Sequence, residues 1–202
     1  MRLHLASGNA HKAAEFSRLA AATGLEVEIV SAQAAGGMPA VCEDTGTFQG
    51  NALKKAHALR ARLPAGAWVL ADDSGLCVDA LDGAPGVESA YYAGPQGDAA
   101  ANLAKLVAEL RGVPAGLRRA HFVCVLALVD GKGAEHMFEG RCDGVLRDEP
   151  AGGAGFGYDP LFVPDGHGQS FAAMAESAKN GLSHRGRAWA ELVRWWRGVP
   201  RL

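Results

Sequence analysis

Two adjacent carboxylates and a hydroxyl, on Asp72, Asp73 and Ser74, follow an apolar run at residues 68–71. The run predicts a short buried strand that ends where the acidic side chains begin. Adjacent carboxylates repel one another and are costly to bury unless a cation or hydrogen-bond donors lie beside them. Ligands of α/β proteins gather beyond the carboxyl ends of strands, so this position favours a chemical role. The alternative is an acidic turn, because Asp, Ser and Gly are common turn residues.

A second polar segment lies between a predicted strand at residues 3–6 and a predicted helix at residues 12–22; it reads Ser7-Gly8-Asn9-Ala10-His11-Lys12. The N-terminus of a helix offers unpaired N–H groups that attract anions. Lys12 has the unfavourable sign for the helix dipole, which indicates that its charge meets a negative group. The alternative is an ordinary surface lysine.

A helix predicted over residues 47–63 carries Lys55 among largely apolar neighbours. Lys55 either extends its stem along the surface or points into a cleft. Glu43 and Asp44 precede the first turn of this helix, where acidic groups are favoured. They therefore either cap the helix or act as ligands.

The segment at residues 152–162 has four glycines in six positions, which allows the backbone to approach a ligand closely. Phe156 and Tyr158 supply flat apolar faces, and Asp159 precedes a proline. The glycine spacing fits neither a dinucleotide-binding fingerprint nor a P-loop. The alternative is a glycine-rich hairpin whose aromatic rings pack inward.

A short helix is predicted over residues 172–179 and is ended by Asn180-Gly181, after which Ser183 caps a final helix. Lys179, His184 and Arg185 gather cationic or donor groups at the start of that helix, where the dipole disfavours them. Arginine and histidine there supply directed donors to a planar acceptor.

The remaining pattern predicts strands at residues 27–30, 120–129, 134–141 and 145–146. It also predicts one more helix, at residues 99–110. Residues 120–129 form an almost unbroken apolar run that suits the middle of a sheet. The pattern contains no internal repeat and no linker.

Composition narrows the classes of function. The chain has 202 residues, 49% hydrophobic and 21% charged, with a formal net charge of −2 and scattered cations, which disfavours nucleic-acid binding. The four cysteines form no Cys-x-x-Cys pair and predict free, largely buried thiols. The start of the chain does not resemble a secretory signal, and no apolar run approaches bilayer length. We therefore expect a cytoplasmic protein with no membrane contact.

Five motifs follow one another between residues 7 and 186: Ser-Gly-Asn-x-x-Lys, Glu-x-x-x-Thr-Phe-x-x-Asn-Ala-x-x-Lys-Ala, Ala-Asp-Asp-Ser-Gly-Leu, Gly-Phe-Gly-Tyr-Asp-Pro-x-Phe and Ser-His-Arg-Gly. The last two are the most specific. Together the motifs resemble the inosine triphosphate pyrophosphatase family.

The resemblance implies an α/β fold with a long twisted mixed β-sheet flanked by helices, in two lobes with a central cleft. It implies one domain over residues 1–202 and a homodimer. It also implies Mg²⁺-dependent hydrolysis of the purine nucleotides ITP, dITP or XTP to the monophosphate and pyrophosphate, which would cleanse the nucleotide pool.

The resemblance also implies roles for individual residues. Glu43 and Asp73 would hold the metal, and Asp73 would also accept a proton. Contacts with the triphosphate would come from Ser7, Gly8, Asn9, Ala10, His11, Lys12, Lys55 and Ser74. Phe156 would stack on the base. The rest of the base pocket would consist of Gly157, Tyr158, Asp159, Lys179, His184 and Arg185.

Two assignments stay open at this stage. The order of Thr and Gly after Asp44 differs from some relatives, so Glu43 or Asp44 is the acidic ligand, and the spacing to Phe48 favours Glu43. One oxygen of Asp73 cannot both bind a metal and accept a proton. Either its two oxygens divide these roles, or Asp72 shares them.

Recognition of the base would rest on the purine 6-keto group, which accepts a hydrogen bond from Arg185 or Lys179. The 6-amino group of adenine presents a donor instead and leaves buried groups unpaired, at about 1–3 kcal/mol each. Guanine shares the keto group, so its exclusion must come from the 2-amino position. Two alternative functions are a Maf-like pyrophosphatase acting on pyrimidine or modified nucleotides and a sensor that binds nucleotide without hydrolysis.

Overall fold

The computed structural model describes residues 1–198 and alternates strands with helices. The strands within that range are β1 (Arg2–Leu5), β2 (Glu28–Ser31), β3 (Trp68–Val78), β4 (Arg119–Val129), β5 (Glu135–Leu146) and β6 (Phe162–Pro164). The α-helices are α1 (Ala10–Thr23), α2 (Phe48–Arg60), α3 (Ala99–Glu109), α4 (Glu176–Leu182) and α5 (His184–Gly198).

The six strands form one sheet in the order β2-β1-β3-β4-β5-β6 within the described part of the chain. β1 pairs in parallel with both β2 and β3, whereas β5 and β6 pair antiparallel. Parallel neighbours need a crossover, and α1 supplies the one between β1 and β2. The predicted α/β class with a mixed sheet is therefore confirmed.

Contacts divide the chain into two compact units. Within the described residues, the first contains 1–73, 124–140 and 188–198, and the second contains 74–123 and 141–187. Each unit has a hydrophobic core, built around Phe16, Leu70 and Trp189 in the first. The core of the second is built around Leu76, Phe122 and Phe162. The central cleft and the single domain over residues 1–202 stay predictions.

The helices that carry candidate site residues have well-defined ends. Asn9 caps α1 by accepting hydrogen bonds from the backbone N–H groups of His11 and Lys12. Gly24 ends α1 with a φ of 63°, a conformation that favours glycine. Thr47 caps α2 by accepting from the backbone N–H of Gly50. These caps fix where Lys12 and Lys55 leave their helices.

Two predicted boundaries are wrong. β3 does not end before Asp72 but continues through the acidic pair to Val78, because each carboxylate has a lysine partner that makes its burial tolerable. The short C-terminal helix spans Glu176–Leu182 rather than residues 172–179. Asn180-Gly181 lies inside it, and the backbone N–H of Ser183 closes its last turn on the carbonyl of Lys179.

The cysteine prediction is largely confirmed. All four thiols are free, and Cys124 and Cys142 are buried, whereas Cys42 is exposed and Cys77 is half-buried. Burial raises the pKa of Cys142 to about 11, which keeps this thiol protonated and unreactive at neutral pH. Among residues 1–198, no helix is long and apolar enough to cross a membrane.

Candidate active site

Lys55 bridges two carboxylates in the first unit. Its Nζ atom donates to Glu43 Oε2 at 2.8 Å and to Asp73 Oδ1 at 2.5 Å. Asp73 comes from β3, Lys55 from α2 and Glu43 from the segment before α2. Burial opposes the charge of Lys55, but the two carboxylates outweigh it and raise its pKa above the ordinary value. One cation therefore lies against both members of the predicted metal-binding pair.

The two carboxylate oxygens of Asp73 have different surroundings. Oδ1 accepts from Lys55, whereas Oδ2 is buried and has no hydrogen-bond partner among residues 1–198. Burial raises the pKa of Asp73 to about 6, although Lys55 and Lys12 act in the opposite direction. An ionised oxygen without a donor is costly to bury, so a cation at Oδ2 would stabilise the charged form.

Asp72 is held differently from its neighbour. Lys12 Nζ lies 2.5 Å from Asp72 Oδ1, and the thiol of Cys124 donates to Asp72 Oδ2 at 3.5 Å. Successive side chains of a strand point to opposite faces of the sheet, and the two carboxylates accordingly have different hydrogen-bond partners, although the charge of Lys12 also lowers the pKa of Asp73. The negative partner that the sequence predicts for Lys12 is therefore Asp72. This arrangement favours Asp73 as the proton acceptor.

The segment Ser7–Lys12 runs from the turn after β1 into the first turn of α1. Ser7 Oγ accepts from the backbone N–H of Asn9 at 3.1 Å, and Asn9 Oδ1 accepts from that of His11 at 2.9 Å. Gly8, Asn9, Ala10 and His11 are exposed, while Ser7 and Lys12 are half-buried. The turn thus presents polar groups and backbone at the surface, as a phosphate-binding segment requires, and contact with a triphosphate stays a prediction.

A second group of candidate residues lies in the second unit, around the Phe156 ring. Asp159 Oδ2 accepts from the backbone N–H of Phe156 at 2.8 Å and from Lys179 Nζ at 2.6 Å. Lys179 Nζ lies 5.7 Å from the centroid of the Phe156 ring, and Arg185 Cζ lies 5.6 Å from it. Arg185 also donates to Ser74 Oγ at 2.9 Å. One aromatic face and two cations are thereby held together.

Tyr158 and His184 are almost completely buried in this unit. The Tyr158 hydroxyl donates to the carbonyl of Ser89 at 2.9 Å, and burial raises the pKa of Tyr158 above its ordinary value. The His184 ring stacks on Phe122 with centroids 4.6 Å apart. Gly157, between Phe156 and Tyr158, has a φ of 62°. These contacts fix the side chains of Tyr158 and His184 within the second unit. Direct contact of Gly157, Tyr158 and His184 with a base stays a prediction.

Comparison with known proteins gives the family. The model of the Ham1 family matches residues 3–195. The chain belongs to the Ham1 family. A dITP/XTP pyrophosphatase of Opitutus terrae is 63% identical over 201 residues, covering 98% of this chain and 99% of the relative. One of Streptomyces avermitilis is 47% identical over 194 residues, 95% of each chain. A HAM1 protein from Coxiella burnetii has a TM-score of 0.85 at 34% identity, covering 98% of this chain and 100% of that one.

These findings confirm the resemblance drawn from the five motifs. They also extend the likeness in fold over nearly the whole Ham1 chain.

One buried residue near the site was not singled out from the sequence. Asn51 is completely buried in α2, and its Oδ1 atom accepts two hydrogen bonds from Thr45. The available signal was the place of Asn51 in the second Ham1 motif, one helical turn before Lys55. A polar residue in a helix interior is ordinarily solvent-facing, so its burial became evident only in the structure.

Proposed function

We propose that the protein hydrolyses the non-standard purine nucleotides dITP, XTP and ITP to the monophosphate and pyrophosphate, with Mg²⁺ as its cofactor. The enzyme class follows from the relatives: the chain is a nucleoside triphosphate pyrophosphatase, a hydrolase, like the curated proteins that it matches over nearly its full length. The observation that carries the chemistry is the pair of carboxylates, Glu43 and Asp73, against one ammonium group.

The donor set suits magnesium. Mg²⁺ is a hard ion that takes one or two carboxylates and completes its shell with waters and substrate phosphates. Glu43 and Asp73 supply two carboxylates, and Asp73 Oδ2 has no hydrogen-bond partner in the described chain. When bound, the ion would offset phosphate charge and stabilise the leaving pyrophosphate.

The chain's own residues would position the triphosphate and accept a proton. Lys12 and Lys55 carry their charges on two different helices and would neutralise phosphate oxygens, while the segment at residues 7–12 would contact the triphosphate at the start of α1. Water attacking the α-phosphorus must lose a proton, and Asp73 is the acceptor that we assign. Its two oxygens have different surroundings, so metal binding and proton transfer can be divided between them.

The second group of residues would read the base. Phe156 offers a face for stacking, and the guanidinium of Arg185 and the ammonium of Lys179 only donate hydrogen bonds. A 6-keto oxygen accepts from such donors, whereas the 6-amino group of adenine would leave them unpaired. Sites whose polar groups lose their partners reject the wrong substrate by about 10⁴-fold. Hypoxanthine and xanthine are therefore the bases that this group favours.

The first prediction concerns the reaction itself. We expect the purified protein to release pyrophosphate from dITP with Mg²⁺, to lose that activity in EDTA and to act on dATP at least about 100-fold more slowly. Pyrophosphate release coupled to a phosphate assay measures all three. Preference for UTP or dTTP would indicate a Maf-like pyrophosphatase instead, and tight dITP binding without product would indicate a sensor.

Glu43 and Asp44 provide a matched test of the metal ligand. Asp44 is exposed and pairs with the exposed Lys54, so Asp44→Asn should change activity by no more than about twofold. Glu43→Gln should raise the Mg²⁺ concentration for half-maximal rate by about tenfold or more, because it removes a ligand charge beside Asp73. Rates measured across a magnesium series decide between them. Equal effects of the two substitutions would contradict the assignment of Glu43.

Two further expectations stay predictions. The homodimer that the resemblance implies can be measured by sedimentation equilibrium. Cytoplasmic location can be measured by fractionation of the cells that produce the protein.

A further inference from the structure

We propose that Asn51 is a positioning residue that holds Glu43 in place for metal binding, acting through Thr45. The inference rests on the proposed function, since it concerns the carboxylate assigned to the metal. Asn51 contacts neither Glu43 nor Asp73 through any hydrogen bond found in the structure. Its effect passes through the segment that joins Glu43 to the first turn of α2.

Thr45 is held by two hydrogen bonds to Asn51. Asn51 Oδ1 accepts from the hydroxyl of Thr45 at 2.8 Å and from its backbone N–H at 3.2 Å. A backbone N–H can only donate, so this contact fixes which end of the amide faces Thr45. Glu43 lies two residues before Thr45. Fixing Thr45 therefore limits the positions that the Glu43 side chain can reach.

The burial of Asn51 indicates that its role is not simply to fill space in the core. Asn51 is 0% exposed, and its Nδ2 atom has no hydrogen-bond partner among residues 1–198. Burying an amide with one end unsatisfied costs stability relative to an apolar side chain of the same size. Asparagine at this position therefore lowers the stability of the fold, and the two hydrogen bonds to Thr45 are what it provides in return.

Two neighbours keep Thr45 against the helix. A Cβ atom on Gly50 would lie 2.5 Å from Thr45 Oγ1, so only glycine lets the segment approach α2 this closely. Thr47 caps the helix by accepting from the backbone N–H of Gly50 at 3.1 Å. The segment is thus fixed both at the cap and at Asn51.

Asn51 and Lys55 lie on the same helix, α2. Asn51 lies one helical turn before Lys55, so the two side chains leave the same face of the helix. Lys55 holds the Glu43 carboxylate from one side, and Asn51 holds the backbone that carries it. Together they hold Glu43 on the same ammonium group as Asp73.

Four variants test the proposal. Asn51→Leu removes the acceptor and keeps the volume. Thr45→Val removes one of the two bonds to Asn51, together with the contacts of the same hydroxyl with Thr47, at an exposed residue and should not impair folding. Thr45→Ser keeps the hydroxyl and is the matched control. Leu59→Ala, on the same helix and completely buried, should lower the melting temperature without affecting the metal.

Mn²⁺ affinity and structure are the readouts. Binding is followed by the electron paramagnetic resonance signal of free Mn²⁺, in the presence of α,β-methylene-dITP, an analogue that the enzyme cannot cleave. We expect about tenfold weaker Mn²⁺ binding for Asn51→Leu, typical of lost support for a ligand, and about threefold for Thr45→Val. Thr45→Ser and Leu59→Ala should bind Mn²⁺ like the parent. A crystal structure of Asn51→Leu should show Glu43 displaced from Lys55.

The outcomes separate this inference from the proposed function. If the parent hydrolyses dITP but Asn51→Leu leaves Glu43 against Lys55, or leaves Mn²⁺ affinity unchanged, the positioning role is overturned. If Leu59→Ala weakens Mn²⁺ binding as much as Asn51→Leu, the effect is one of stability and the inference also fails. If the parent neither cleaves dITP nor binds Mn²⁺ with the analogue, the proposed function fails and this inference fails with it.

Discussion

Asp73→Asn is expected to lower kcat for dITP by about 1000-fold or more, because it removes both a ligand charge and the assigned proton acceptor. Asparagine has the same shape as aspartate but accepts no proton at neutral pH. Its amide would also lie against the Lys55 ammonium, which currently donates to Asp73 Oδ1. Steady-state rates at saturating Mg²⁺ and dITP measure the loss. A kcat within about tenfold of the parent would refute the role of Asp73.

A stability measurement separates lost chemistry from lost structure in this variant. The pKa of Asp73 in the folded protein is about 6, above its ordinary value of 3.8, so ionising it is harder in the folded state than in the unfolded chain. This group therefore lowers the stability of the metal-free protein as pH rises from about 4 to about 6, and the loss persists above that range. Asparagine carries no such penalty. In EDTA above pH 6, Asp73→Asn should melt no lower than the parent.

Asp72→Asn is the comparison that distinguishes the two adjacent acids. Asp72 Oδ1 pairs with the Lys12 ammonium, and Asp72 Oδ2 accepts from the thiol of Cys124. We expect a loss of about tenfold, mainly in KM, because Asp72 positions the lysine assigned to phosphate rather than reacting atoms. If Asp72→Asn abolished turnover and Asp73→Asn did not, the proton acceptor would be Asp72.

The local pattern of the sequence predicted those elements whose signals lie within the segment itself. α1 and α2 follow from apolar spacing, although their predicted starts at residues 12 and 47 differ from the observed Ala10 and Phe48, because the caps at Asn9 and Thr47 became evident only in the structure. β4 follows from its unbroken apolar run. β3 was predicted too short because burial of its acidic pair depends on Lys12, which lies 60 residues before Asp72 in the chain, and on Lys55. β6, with three residues, is shorter than any periodicity can detect.

The candidate site shows the same limit. Residue types and motif order identified Asp73, Lys55 and Glu43, but not that a single ammonium group joins the two acids. They identified Lys179 and Asp159, but not the ion pair between them. Such pairings depend on which side chains the fold brings together, and a linear pattern does not encode distance. The sequence pattern does not show the burial of a single polar side chain either, so nothing distinguished Asn51 from an ordinary helix residue.

The ion pair of Lys179 and Asp159 bears on which cation reads the base. Asp159 Oδ2 already accepts from Lys179 and from the backbone N–H of Phe156, so this lysine is tied to the loop that carries the aromatic ring. Arg185 donates to the hydroxyl of Ser74. Its guanidinium presents a planar set of donors, whereas the ammonium of Lys179 is a compact point charge. Discrimination between a keto and an amino base is therefore expected to depend most on Arg185.

Arg185→Gln is expected to lower kcat/KM for dITP by about 100-fold and to change that for dATP by less than about threefold, because a charged hydrogen bond to the keto oxygen is lost. The ratio of the two values, measured in one assay, is the readout. Arg185 is 2% exposed, so a thermal melt must accompany the kinetics. Ser74→Ala leaves Arg185 in place and removes the hydroxyl to which it donates, so it should lose selectivity by about tenfold or less. An equal fall for dITP and dATP would show that Arg185 supports the fold and does not read the base.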